Sequence, residues 1–180
     1  NSTYTTKLLN EFCVHALIGK VRYRKIGLIP KEFFITSGKA ISPVSELNAF
    51  DLALKKAGIA QCNLVCVSSI LPKGCTEVEK HDIEAGAVTF AVLARMDGDE
   101  GTTIGAGIAW AWARSRKYGL VAEAHGYMDK KALEETLDWK IKEMAKIRGI
   151  QIGPIEKRME VQRVPMDNYG CVISALVYYK

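Results

Sequence analysis

Cysteine is scarce in this sequence and follows no pairing pattern. There are five cysteines, an odd number, and no two of them form a CxxC pair; they are Cys13, Cys62, Cys66, Cys75 and Cys171. Such a set argues against a disulfide framework and is typical of proteins kept in a reducing compartment. We therefore expect a cytoplasmic protein without structural disulfides.

Long apolar runs are also missing. No segment approaches the roughly 20 residues that a membrane-spanning helix needs. One apolar segment, residues 12–21, follows acidic Glu11 and precedes basic residues, which is the reverse of the order in a signal peptide. These absences predict a protein that has no membrane partner.

The body of the chain lacks an excess of charge. Residues 1–30 hold five basic residues and one acid, which leaves 20 basic and 19 acidic residues for positions 31–180. A nucleic-acid-binding protein normally carries a basic face on its folded part. We therefore predict no nucleic-acid partner and regard residues 1–29 as a basic leader or extension of unknown role.

Histidine is too sparse to build familiar catalytic or metal sites. The three histidines, at positions 15, 81 and 125, suggest no Ser-His-Asp arrangement. Glu123 and His125 would share one face of a strand and could form half of a metal site, but a cross-strand or surface pair is the commoner explanation. We predict no metal site.

Two helices are indicated by their capping residues. Ser45 is a good N-cap for a helix through Ala57, and Gly58 is placed to end it. A second, stronger helix is predicted to begin after Asp129 and to stop at Gly149.

The remaining periodic segments read as strands separated by turns. We predict a loop at residues 38–43 and strands at residues 32–37, 62–71, 85–96, 102–113, 118–127, 150–164 and 171–179. Two helices among several strands suggest an α+β fold in which helices cover antiparallel or mixed sheets.

Two short features could carry chemistry. Ser68 and Ser69 end an apolar strand just before Ile-Leu-Pro, although the dipeptide alone signifies nothing. Glu123 lies in an apolar stretch where an unpaired ionised carboxylate would be costly and where burial would favour its protonated form. The alternative, favoured by composition alone, is a glutamate on the wet face of a half-exposed strand.

Several motifs in order resemble the pyruvoyl-dependent arginine decarboxylases. They are Leu47-Asn-Ala-Phe-Asp51, then Ala57-Gly-Ile, then Asn63-Leu, then Ser68-Ser69-Ile-Leu-Pro, and finally Gly119-Leu-Val-Ala-Glu123. The resemblance runs from about Pro30 to the end of the chain, so residues 30–180 form one expected decarboxylase domain.

The resemblance implies that the chain makes its own cofactor. The Ser69 hydroxyl would attack the Ser68 carbonyl, and elimination would leave two chains, residues 1–68 (β) and 69–180 (α), with a covalent pyruvoyl group generated from Ser69 at the start of the second. Asn63 would steady the oxyanion during the cut. The pyruvoyl group would form a Schiff base with L-arginine, which would leave as agmatine and carbon dioxide.

The resemblance also assigns substrate contacts and architecture. Glu123 would return a proton to the substrate carbon, Asp51 would bind the guanidinium, and Leu47 would line the pocket. The family fold is a four-layer αββα sandwich, and its assembly is a homotrimer of cleaved αβ protomers with sites between neighbours.

Two alternatives remain open at this point. The chain could be a pyruvoyl decarboxylase of another amino acid, such as histidine or aspartate, although Asp51 favours a cationic substrate. It could instead be a trimeric relative that folds without processing and acts as a binding or scaffold protein. The presence of Asn63, Ser68, Ser69 and Glu123 weakens this second alternative.

Overall fold

The computed structural model describes residues 27–179. Most of the predicted extension at residues 1–29 therefore lies outside the described residues. The elements in chain order are β1 (Glu32–Ser42), α1 (Glu46–Ala57), β2 (Asn63–Cys66), β3 (Ile70–Leu71), β4 (Thr76–Glu77), β5 (Val88–Gly98), β6 (Thr103–Trp112), β7 (Gly119–Gly126), α2 (Lys130–Ile147), β8 (Glu156–Arg163) and β9 (Tyr169–Tyr179).

The strands form two sheets. Sheet A has the order β2-β5-β9-β1-β4, with antiparallel pairing at its centre and parallel pairing of β2 with β5 and of β4 with β1. Sheet B has the order β3-β7-β6-β8 and is antiparallel throughout. The predicted α+β class with mainly antiparallel and mixed sheets is confirmed.

Three apolar clusters join the elements into four layers. One cluster fills the space between the sheets and includes Val92, Ile108 and Leu176. A second packs α1 on the outer face of sheet A, and a third packs α2 on the outer face of sheet B. The order α1, sheet A, sheet B, α2 is the αββα sandwich that the resemblance implied.

Both helices have the caps that the sequence predicted. The Ser45 side chain accepts a hydrogen bond from the Asn48 N–H, and Gly58 ends α1 in the left-handed conformation at a φ of 71°. Asp129 caps α2 by accepting from the Ala132 N–H. Neither helix is long and apolar enough to cross a membrane within residues 27–179.

The loop predicted at residues 38–43 is wrong. β1 continues to Ser42 and pairs with β9 over its whole length. Gly38 signals a close approach here rather than a turn, because a Cβ at this position would collide with the backbone carbonyl of Ala53 in α1. The glycine lets the helix lie directly on the strand.

The single strand predicted for residues 62–71 is divided between the two sheets. Its first part, β2, pairs with β5 in sheet A, and its last part, β3, pairs with β7 in sheet B. Residues Val67, Ser68 and Ser69 therefore connect the sheets. We call these three residues the crossover.

Candidate active site

The crossover is held by backbone hydrogen bonds on both sides. The Val67 N–H donates to the Ala91 carbonyl of sheet A at 3.0 Å, and the Val121 N–H of sheet B donates to the Ser69 carbonyl at 3.0 Å. Between these anchors the Ile70 N–H donates to the Ser68 carbonyl at 3.1 Å, which closes a three-residue turn around Ser69.

The turn is fixed without a left-handed backbone. Among residues 27–179, the only non-glycine residues with positive φ are Arg116 and Asp167, and no peptide bond is cis. Ser68 and Ser69 are thus held in place by their hydrogen-bond partners.

Ser69 and Glu123 line the same cleft. Its volume is about 270 Å³, and α2 provides most of its wall. The other lining residues are Ala122, Trp139, Lys140, Glu143, Met144 and Ile147. The fold therefore brings together the residue expected to form the cofactor and the residue expected to supply a proton.

The cleft is open to solvent within one chain. Glu123 of β7 pairs with Ile108 of β6, and its side chain is exposed. In the isolated chain this agrees with the alternative in which Glu123 lies on the solvent-exposed face of a strand. The Lys140 ammonium donates to the Glu123 backbone carbonyl at 2.9 Å and so fixes α2 beside this part of β7. Trp139 and Ile147 at the rim are 64% and 78% exposed, which leaves apolar surface around the opening.

Ser68 lies in a different cleft. This second cleft has a volume of about 380 Å³, and Ser69 is not among its lining residues; they are Leu28, Pro30, Val67, Ser68, Ile70, Pro72, Phe90 and Tyr178. The Tyr178 hydroxyl donates to the Ile70 carbonyl at 2.8 Å. Burial is the main cause that raises the pKa of Tyr178 to about 12, so this hydroxyl keeps its proton over the neutral range.

The other three predicted site residues lie on the sheet A half of the molecule. Leu47 and Asp51 occupy the exposed side of α1 one turn apart, and Leu47 is 72% exposed. Asn63 begins β2, and its side-chain amide donates to the Gly86 carbonyl at 2.8 Å. Ser68 follows Asn63 by five positions, and in an extended chain this places their Cα atoms roughly 16 Å apart.

One chain therefore divides the predicted residues into two groups. Ser68, Ser69 and Glu123 lie at the crossover and on sheet B. Leu47 and Asp51 lie outside sheet A, so sheet A stands between them and Glu123. Asn63 belongs to the edge strand of sheet A.

The alternative chemistries weighed from the sequence have little structural support. Within the described part of the chain, no three His, Cys, Asp or Glu side chains cluster closely enough to hold a metal ion. Cys66 is exposed, and Cys62 is half-buried.

Sequence comparison decides the family. The model of the pyruvoyl-dependent arginine decarboxylase family matches residues 32–180. The chain belongs to this family. The match covers every described strand and helix, including the crossover and the cleft lined by Ser69 and Glu123.

Curated pyruvoyl-dependent arginine decarboxylases align with most of the chain. The protein of Thermococcus kodakarensis is 36% identical over 152 residues, which cover 83% of this chain and 96% of that protein. The protein of Methanothermobacter thermautotrophicus is 36% identical over 146 residues, covering 80% and 93%. A solved pyruvoyl-dependent histidine decarboxylase shows 13% identity and a TM-score of 0.46, covering 56% of this chain and 54% of its own.

Two contacts at the crossover had no signal in the sequence. The Ile70 N–H is a backbone group, and Tyr178 lies 108 positions away from Ile70 in the chain. The sequence predicts Trp139 and Lys140 only as parts of a helix, because nothing in their spacing indicates that α2 borders the Ser69 cleft.

Proposed function

We propose that this chain is a self-processing enzyme that cuts itself between Ser68 and Ser69 and then decarboxylates L-arginine to agmatine. The observation that carries the proposal is the shared cleft of Ser69 and Glu123 beside the crossover. Membership of the pyruvoyl-dependent arginine decarboxylase family supports both the cofactor and the substrate.

The atoms exchanged in self-cleavage come from Ser68, Ser69 and one water molecule. The Ser69 Oγ bonds to the Ser68 carbonyl carbon, the Ser68–Ser69 amide bond breaks, and the hydroxyl proton passes to the freed nitrogen. Elimination then removes the proton from the Ser69 Cα and breaks the Cβ–Oγ bond of the new ester, leaving a carboxylate on Ser68 and a dehydroalanine at position 69. Hydrolysis of the latter releases ammonia and leaves the pyruvoyl group.

The residues around the crossover suit a group made at position 69. A serine stands at the required place in a fixed turn, and Glu123 is among the residues that line the adjoining, mostly apolar cleft. The pyruvoyl group supplies a carbonyl that condenses with the substrate amine and accepts the electrons left when carbon dioxide departs. Glu123 holds the proton that replaces carbon dioxide on the substrate carbon.

The division of the predicted residues supports a site built by two subunits. An arginine side chain spans about 7 Å from Cα to Cζ, given bonds of about 1.5 Å. It cannot reach from the Ser69 cleft past sheet A to Asp51 of the same chain. We therefore assign Asp51, with Leu47 as a pocket wall, to a neighbouring subunit of a homotrimer, where a carboxylate matches the planar guanidinium donors.

The same arrangement applies to Asn63. Its amide already bonds to Gly86 and lies about five extended residues from Ser68 of its own chain. A role in steadying the oxyanion therefore requires either a neighbouring subunit or a change of partner.

The four cysteines in the described part of the chain are free, which supports a reducing compartment and hence the cytoplasm.

Intact-mass measurement and a denaturing gel test the proposal. The wild-type protein should yield one fragment ending at Ser68 and a second fragment that begins with pyruvoyl, whereas Ser69→Ala should remain one inactive chain. Arginine should be preferred to ornithine, lysine and histidine in assays of carbon dioxide release. A chain that stays intact and still releases carbon dioxide from arginine contradicts the cofactor assignment. Processing with preferential use of another amino acid contradicts only the substrate.

A further inference from the structure

The carbonyl that must be attacked during self-cleavage already accepts a hydrogen bond from its own chain. The Ile70 N–H lies 3.1 Å from the Ser68 oxygen, a normal hydrogen-bond distance. When the Ser69 Oγ bonds to the Ser68 carbon, this oxygen becomes the oxyanion. A fixed N–H at that position stabilises the developing charge without rearrangement.

The position of Ile70 is fixed on both sides. Ile70 pairs with Leu120 of β7, and its carbonyl accepts the Tyr178 hydroxyl at 2.8 Å. Tyr178 is only 8% exposed and belongs to β9, the middle strand of sheet A. This one contact ties the sheet B side of the crossover back to sheet A.

The Tyr178 hydroxyl is well suited to a permanent role as a donor. Burial and the nearby Cys75 thiol raise its pKa to about 12, so it remains protonated. Its ring also lines the cleft that contains Ser68. Tyr178 therefore borders the cleft that contains Ser68 and does not line the cleft that contains Ser69.

We propose that the Ile70 N–H is the oxyanion donor for self-cleavage and that Tyr178 is the positioning residue that holds it. The inference rests on the proposed function, because it concerns the first step of the Ser68–Ser69 cut. In that step the Ser69 Oγ bonds to the Ser68 carbon, the amide C–N bond breaks, and the Oγ proton passes to the nitrogen. This assignment supplies a donor that already bonds to the Ser68 oxygen, whereas the Asn63 amide bonds to the Gly86 carbonyl.

Removing the Tyr178 hydroxyl tests the positioning role. Freshly purified precursor is followed by intact mass, with and without excess hydroxylamine, which captures the ester as a hydroxamate on Ser68. Tyr178→Phe should slow ester capture roughly tenfold, the usual effect of one lost hydrogen bond on a rate. Turnover per processed chain should stay at the wild-type value, because Tyr178 does not line the Ser69 cleft.

Tyr179→Phe is the matched control. Its ring is tilted by 38° against the ring of His81, with centroids 5.5 Å apart, and it does not line the cleft that contains Ser68. This variant should cut itself at the wild-type rate. Equal ester capture in Tyr178→Phe and Tyr179→Phe overturns the positioning role. A loss of melting temperature in Tyr178→Phe with an unchanged capture rate also overturns it, since that result is purely structural.

The donor itself can be removed by replacing the amide before Ile70 with an ester. Cys62 and Cys75 flank the crossover, so a synthetic segment 62–74 can be ligated between recombinant segments 1–61 and 75–180. The ester at Ile70 should slow cleavage roughly 10²-fold, the effect of losing one oxyanion donor. An ester before Lys73, which lies beyond β3, is the control. Equal cleavage of the two esters refutes the Ile70 assignment.

The proposed function is tested separately in the same series. A wild-type chain that never cuts, or a Ser69→Ala chain that does, contradicts the proposed function. If the wild type cuts itself normally and the ester of Tyr178→Phe is captured by hydroxylamine at the wild-type rate, only the proposed roles of Ile70 and Tyr178 are contradicted.

Discussion

Two impaired variants, assayed at an arginine concentration far below the KM of Asp51→Asn, should restore each other's activity if every active site is shared between neighbouring subunits. Asp51→Asn removes the proposed guanidinium ligand from the sheet A half, and Glu123→Gln removes the proposed proton donor from the sheet B half. The two residues lie in different layers of one chain. The sheets are about 10 Å apart and α1 lies about 10 Å beyond sheet A, so roughly 20 Å separates the backbone of Asp51 from that of Glu123.

The expected recovery follows from counting. When the two variants are mixed in equal amounts within trimers, a site is intact only if its Asp51 comes from one variant and its Glu123 from the other. Each condition is met half of the time, so about a quarter of all sites should be intact. Sites formed within single chains would give no recovery at all.

Co-expression with two affinity tags isolates the mixed assemblies, and agmatine formation per pyruvoyl group is then measured. The control mixes wild-type chains with chains that carry both substitutions. In the isolated mixed trimers, shared sites give about a third of the wild-type activity with the two variants and about a sixth in the control, whereas sites within one chain give none in the first and about half in the second. No activity in the mixture of the two variants, together with about half of the wild-type activity in the control, would refute the shared site. Asp51 would then not be the guanidinium ligand.

Four further outcomes are expected. Glu123→Gln should process normally but lose roughly 10²–10⁴ in turnover, measured as agmatine formation beside fragment yield. Asp51→Asn should raise KM for arginine and reduce the preference over lysine at least tenfold, as measured by competing the two substrates. Gly38→Val should destabilise the fold by about 2 kcal/mol or more in urea titrations, because its Cβ would displace the Ala53 carbonyl and with it α1. Stability should fall as the pH rises from about 10 to about 12, since the unfolded chain releases the Tyr178 proton first, and Tyr178→Phe should flatten this decline in urea titrations.

The local ends of the helices were predictable because capping is local chemistry. Ser45, Gly58 and Asp129 act within three or four residues of their own positions, so the sequence alone contains the whole interaction. Gly38 was misread for the converse reason. Its partner is the backbone of Ala53, and no pattern around residue 38 distinguishes a glycine in a turn from a glycine under a helix.

The crossover could not be predicted from periodicity. Alternation of apolar residues through positions 62–71 is the same whether the strand stays in one sheet or passes to another. Only the pairing partners, β5 for Asn63 and β7 for Ile70, reveal the change. Motifs shared with the decarboxylase family identified candidate residues, but they contain no information on which half of the molecule each residue occupies.

The location of the crossover also explains how a chain could be cut there without losing its fold. The segment before the cut contributes β1, which pairs with β9 from Glu32 through Ser42, and it contributes α1 and β2. These elements are fixed in sheet A by contacts that do not involve the crossover. The segment after the cut begins in sheet B, where the Ser69 carbonyl and β3 bind β7.

A cut between Ser68 and Ser69 would therefore separate two chain ends that already belong to different sheets. Ser68 faces the cleft that contains Tyr178, whereas Ser69 faces the cleft that contains Glu123. A break within β5 or β9 would instead leave two ends inside one hydrogen-bonded strand, where they could not move apart without breaking the sheet. Since the new group at position 69 must be reached by substrate, a connection between sheets is a position where the chain can be cut and opened while both cores remain packed.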